Sequence, residues 1–180
     1  NATTQKWTFT PDSHFTGNAR IDYLIQDGQG GTIPNSITLK VDSVNDAPVA
    51  TFTTTQNTRE GNAQISGQLT STDVDLKKVN GTDDETATYS FESAKIDDGA
   101  SSTNIPAGLT INADGSWTFD ATNAAYNDLA LGTTKKIEVT YKVVDGAGGV
   151  GGTDTEKFII NVAGTNDDPV LGTKKVFPAQ

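Results

Sequence analysis

Across 180 residues the chain sets 13 Lys and Arg against 23 Asp and Glu, a formal net charge of −10, with no cysteine and no methionine. That balance excludes nucleic acid and anionic membrane surfaces as partners, since either needs a basic face. The missing cysteine excludes disulfides, thiol catalysis and thiolate-held metals. No apolar run reaches membrane-spanning length and no charged-then-apolar leader opens the chain, so it is expected to be a piece of something longer.

Short alternating apolar runs between Gly, Asn, Asp and Pro predict an all-β protein. Three strands come first, at residues 7–10, 19–25 and 33–41, broken at Pro11-Asp12 and at Asp27-Gly28-Gln29-Gly30-Gly31. They are too few to close a sandwich. A stiff joint follows, Asn45-Asp46-Ala47-Pro48, in which proline fixes its own φ and extends the residue before it, presenting carboxylate and carbonyl oxygens. Beyond it, residues 49–55 read as extended, Glu60-Gly61-Asn62 as a turn, 64–69 as a strand, and Thr72-Asp73-Val74-Asp75 as an acidic turn. Residues 88–91 form a strand and 97–102 a loop. Residues 109–111 and 116–119 form a hairpin whose Asp114-Gly115 supplies the positive φ of a tight turn. One short helix is predicted over 123–131, capped by Thr122 and ended by Gly132. Two long strands, 137–144 and 156–162, flank Asp145-Gly146-Ala147-Gly148-Gly149 and lead into a second joint, Asn166-Asp167-Asp168-Pro169.

The joints close two comparable units. Trp-Thr-Phe occurs at Trp7 and Trp117, Tyr-x-x-x-Asp-Gly-x-Gly-Gly at Tyr23 and Tyr141, and the joint comes last both times. Unequal spacings mark a duplicated sandwich module rather than a solenoid of fixed period. The first unit is a C-terminal half. Both tryptophans lie on alternating strands and are assigned to core rather than to sugar stacking.

Residues 112–119, Ala125-Tyr126 to Leu129, Asp145-Gly146-Ala147-Gly148-Gly149 and Gly164-Thr165-Asn166-Asp167 give the second unit a resemblance to a VCBS repeat of large repetitive bacterial surface proteins. The first resembles the end of a bacterial cadherin-like repeat, through Phe9-Thr10-Pro11-Asp12, Phe15-Thr16-Gly17, residues 23–31 and Val44-Asn45-Asp46-Ala47-Pro48. Together the resemblances imply an antiparallel Greek-key β-sandwich fold, cadherin- or Ig-like, in about one and a half tandem modules. They divide the chain into a half-module at 1–48, a whole module at 49–169 and the first strand of a following module at 170–180. They also imply Ca²⁺ at the joints, and a secreted RTX-type biofilm adhesin on the bacterial cell surface, exported by type I secretion, with neighbouring repeats of the same chain as partners. Two departures are the missing first half and the extra stretches Asp83-Asp84-Glu85 and 97–104.

In a sandwich entered at one end, the B–C and F–G turns share that end with the entering chain. Asp73 and Asp75 fall in the B–C turn, Asp145 in the F–G turn, and Asn45 and Asp46 in the entering joint; Asp12, from the first unit, is expected to face the same junction. Residues two apart on an extended chain face one way, so Asp73 and Asp75 can share an ion, and an all-oxygen set suits Ca²⁺, which takes about 6–8 such ligands. Glu60, Asn166 and Asp167 are expected to form part of a second, incomplete junction, and Asp27 part of an incomplete upstream one. The competing reading is that Asp and Asn are common in turns, where they bond the nearby backbone. It is favoured for any single Asp, whereas convergence from three distant segments favours a cation.

The functional expectation is a non-catalytic, Ca²⁺-stiffened extender. The alternative is a module whose extra loops bind a glycan or protein. A lone His14, no cysteine and no paired acid and base argue against an enzyme.

Overall fold

A computed structural model describes residues 6–74, 86–146 and 152–167. Eleven strands run in chain order: β1 (Gly17–Gln26), β2 (Thr32–Val41), β3 (Val49–Ala50), β4 (Thr55–Arg59), β5 (Ile65–Gln68), β6 (Ser71–Thr72), β7 (Thr88–Ile96), β8 (Leu109–Ile111), β9 (Ser116–Phe119), β10 (Thr134–Val144) and β11 (Thr153–Ala163). The chain is all-β, and no helix occurs among the described residues. It divides into two compact units, Asn1–Asn45 and Asp46–Gln180, a boundary inside the first joint.

In the first unit β1 and β2 form an antiparallel hairpin. Because side chains alternate along a strand, the pairs Ala19↔Leu39, Ile21↔Ile37 and Ile25↔Ile33 share one apolar face, while Arg20, Asp22, Ser36 and Thr38 share the other. The strand predicted at residues 7–10 is absent: that stretch is irregular and Trp7 is 56% exposed rather than core. A Trp-Thr-Phe alternation signals a strand only where a partner edge receives it, as β5 and β8 receive Trp117.

The second unit is a β-sandwich. A four-stranded sheet ordered β4-β11-β10-β7 lies over a three-stranded sheet ordered β5-β9-β8, with the two-stranded β3-β6 beside them. Strict alternation along β10 sends Ile137, Val139, Tyr141 and Val143 inward, and Phe158, Ile160 and Val162 follow from β11, all fully buried. Opposite them are Leu109, Trp117 and Phe119. Rings pack at tilted and edge-on angles, with Phe52–Phe158 centroids 5.4 Å apart at 70° and Trp117–Phe158 5.2 Å apart. Gly67 is required here, because a Cβ on it would come within 2.7 Å of the Trp117 indole. Among the described residues one strand pair is parallel: the five-residue β4 joins the edge of β11 away from β10.

The predicted 112–115 turn is present, with Gly115 at φ +85°. The predicted helix is not. Residues 120–133 form consecutive turns, with amides donating to carbonyls three residues back, as Tyr126 to Asn123 (3.0 Å) and Leu129 to Tyr126 (3.3 Å). Asp120 Oδ1 accepts from the Thr122 amide (2.9 Å) and Asn123 Oδ1 from the Ala125 amide (3.1 Å). Such side-chain bonds give the backbone a local alternative to helix. Tyr126 then turns into the core, 2% exposed, and its hydroxyl donates to the Ala107 carbonyl (2.7 Å). The loop at 97–102 is pinned, Asp97 N–H donating to Lys136 O (2.9 Å) and Lys136 N–H to Asp97 Oδ1 (2.8 Å).

Candidate functional site

The entering end of the second unit is built by short-range register. β3 pairs antiparallel with β6, Val49 opposite Thr72, so the chain arriving through Asp46 and the chain leaving through Asp73 lie at one end of that ladder. At this end β10 also stops and β11 starts. The Ala50 amide donates to Asp154 Oδ2 (2.9 Å), and a Cβ on Gly152 would meet the Ala47 Cα at 2.1 Å, so β11 begins against the joint.

Asp145 closes the loop between β10 and β11. Its amide donates to Gly152 O (3.4 Å), the Gly152 amide donates back to Asp145 Oδ2 (3.0 Å), and the residue is only 5% exposed, with Oδ1 sealed from solvent. Asp73 is half-buried and its Oδ2 is likewise sealed; Asp46 is half-buried. The fold thus gathers Asp46, Asp73 and Asp145 at one end and adds Asp154, which sequence reading missed. The available signal was an Asp opening a long strand directly after the Gly-rich loop, where its carboxylate faces the entering backbone. As donors these suit a hard cation, all oxygen and partly withdrawn from water. Their side chains are not drawn together into a closed set: among the described residues no group of three or more His, Asp or Glu is arranged to hold a metal ion. Asp75 lies outside the described residues.

In the first unit, Asp12 is exposed, in the segment before β1, and its carbonyl accepts from the Phe15 amide (3.1 Å); Asn45 is half-buried at the unit's end. Asp27 Oδ1 accepts from the Gln29 (2.8 Å) and Gly31 (3.0 Å) amides, and these bonds hold its carboxyl below the ordinary value. The Asp27 amide in turn donates to Gly31 O (3.2 Å), so Asp27 closes its hairpin as Asp145 does.

At the opposite end of the second unit, Glu60 follows directly on β4 and is 6% exposed. Its Oε1 accepts from the Thr165 amide and hydroxyl, and its Oε2 from the Leu129 amide (3.3 Å). The Thr165 amide dominates in holding the Glu60 carboxyl below its usual range, against the opposing effect of burial. Thr165 brings Asn166 and Asp167 next in sequence; both are exposed. The tail at 170–180, expected to begin another module, and the Asp83-Asp84-Glu85 stretch lie outside the described residues.

Residues 1–42 of the 180 match the family model of a cadherin-like domain. Over that stretch the first unit is similar to cadherin-like domains, a class of adhesion-type extracellular modules that are typically non-catalytic and generally bind Ca²⁺. No curated protein matches the chain. No helix among the described residues is long and apolar enough to cross a membrane.

Proposed function

We propose that the chain is a non-catalytic extender segment of a secreted bacterial surface adhesin of the VCBS and RTX kind, serving adhesion in biofilms, and that Ca²⁺ stiffens its first joint. The observation that carries this reading is the placement of the buried Asp145 with Asp46, Asp73 and Asp154 at the end where the joint enters the sandwich. Asp46, Asp73 and Asp145 would hold the ion, joined by Asp75 from the same acidic turn, with Asn45 and Asp12 as the first unit's candidates. The mechanism is electrostatic. Carboxylates gathered without a counter-ion repel one another, and an ion turns them into shared ligands, so a joint that flexes without calcium is restrained with it. Neighbouring repeats of the same chain are the proposed partners.

The glycan- or protein-binding alternative would use a groove between β7 and residues 99–107, at the extra 97–104 stretch. Its lining joins Ile96, Ile105 and Pro106 to the polar Ser102 and Asn104 but holds no aromatic platform for a sugar, which leaves the extender reading ahead. Calorimetric titration of calcium into the protein and into the D73N/D145N double variant tests the proposal. Binding at a Kd of about 10⁻⁴–10⁻³ M that the double variant loses supports it. No binding to the unaltered chain, or equal binding to both, overturns it.

A further inference from the structure

We propose that Glu60 is a metal-independent lock on the chain's exit from the second unit. The parallel ladder sets Arg59 opposite Ala163, and the Glu60 amide extends it by donating to the Ala163 carbonyl (3.1 Å). From there the carboxylate reaches past the end of β11 to take both the amide and the hydroxyl of Thr165 (3.0 Å to Oγ1) on one oxygen and the Leu129 amide on the other. Three segments distant in sequence, the end of β4, the run of turns at 120–133 and the chain leaving β11, are thereby tied to one side chain.

The surroundings leave that chain little freedom. The Gly164 amide donates to Thr133 O (3.0 Å), and a Cβ at Gly164 would lie 2.3 Å from the Ala130 carbonyl oxygen, so the exit is pressed onto the turns. A carboxylate suits the position because every neighbour aimed at it is a donor, whereas an amide would set its own N–H groups against one of them. Both oxygens are engaged by the chain itself, three donors on one carboxylate, so these bonds form without an ion. The direction of Thr165, and with it the start of the second joint, is fixed by the protein alone. This is independent of the calcium reading, which concerns the opposite end.

Amide hydrogen exchange by NMR, on the full chain with chelator and then with calcium, tests it. The Thr165 amide should be protected in chelator and unchanged by calcium. In E60A it should exchange about tenfold faster or more, the loss of a bond to a charged acceptor, while the Phe158 and Ile160 amides keep their protection. If E60A does not fold, E60Q supplies the comparison: it keeps one acceptor oxygen and should shift Thr165 the same way by less. Thr165 unprotected in chelator, protected only by calcium, unaffected in the variants, or loosened no more than the core amides would each overturn the lock.

Discussion

Tyr126 combines a polar tip with full burial, and its environment gives a pH signature. Burial pushes its hydroxyl up to about 12 from 10.0. An acid raised in the folded state contributes stability that is complete below its unfolded value and is lost as pH rises, so alkaline destabilisation should set in between about pH 10 and 12. Tyr126→Phe leaves the Ala107 carbonyl without its donor; it should cost about 1 kcal/mol at neutral pH and flatten that alkaline limb, measurable by denaturant unfolding at two pH values. The acid side has the opposite sign. Asp27, Glu60, Asp114, Asp120 and Glu138 all have carboxyls held below their ordinary values, the first four chiefly by hydroxyl and amide donors and Glu138 chiefly by Lys157. Their contribution is present above the unfolded values, 3.8 for Asp and 4.5 for Glu, and is lost as pH falls through the lower folded ones. Melting temperature should therefore be level from about pH 6 to 8 and fall steeply below about 4.5; a profile flat down to pH 3 would refute these assignments. At this scale the sequence singled out Asp27 and Glu60 as cation ligands and Asp114 as a turn residue, and passed over Asp120 and Glu138. Asp27 bonding its own loop is the competing turn reading, available from the local pattern, whereas Glu60 spending both oxygens on distant amides depends on backbone geometry no local pattern encodes.

Among the elements, the two long hairpins show why the strands were legible. Ile21↔Ile37 and Ala19↔Leu39 in β1–β2 repeat Val139↔Phe158 and Ile137↔Ile160 in β10–β11, each hairpin closed by an Asp whose side chain takes a returning amide. Alternation and turn residues carry that information locally, so these strands and the 109–119 hairpin were placed within a few residues. The 123–131 helix failed because its Ala, Tyr and Leu content satisfies helix propensity, while Asp120 and Asn123 capture the amides a helix needs. The strand at Trp7 failed because no partner edge among the described residues receives it. Packing predictions follow the same map. Phe158→Ala, which removes a ring touching Phe52, Trp117 and Tyr141, should cost about 3–5 kcal/mol. Gly67→Ala should cost about 1–3 kcal/mol by forcing the Trp117 ring aside. Chemical denaturation of either variant checks the value, and a loss under 0.5 kcal/mol for Gly67→Ala would mean the indole moves freely.

Across the whole molecule the two units differ in how their matching hairpins are used. In the second, the inner face of β10–β11 is fully buried; in the first, Tyr23, Ile25 and Ile33 are 43%, 51% and 66% exposed. A two-stranded sheet with that face open has little to hold it, so limited proteolysis should cut within residues 1–45 well before residues 86–146. Simultaneous loss of both would show a single cooperative body instead. The sandwich architecture and the joint as an organising feature were readable from repeats and turn chemistry. The gathering of acids at one end was readable as topology, whereas Asp154 entered only through the bond that β11 makes to the incoming chain.

The most direct measurement is thermal unfolding of the chain in chelator and in about 10 mM calcium. A site of Kd about 10⁻⁴–10⁻³ M should stabilise the second unit by about 1.4–2.7 kcal/mol, visible as a higher melting temperature that D73N/D145N abolishes. Identical melting with calcium and with chelator would contradict a calcium-stiffened joint.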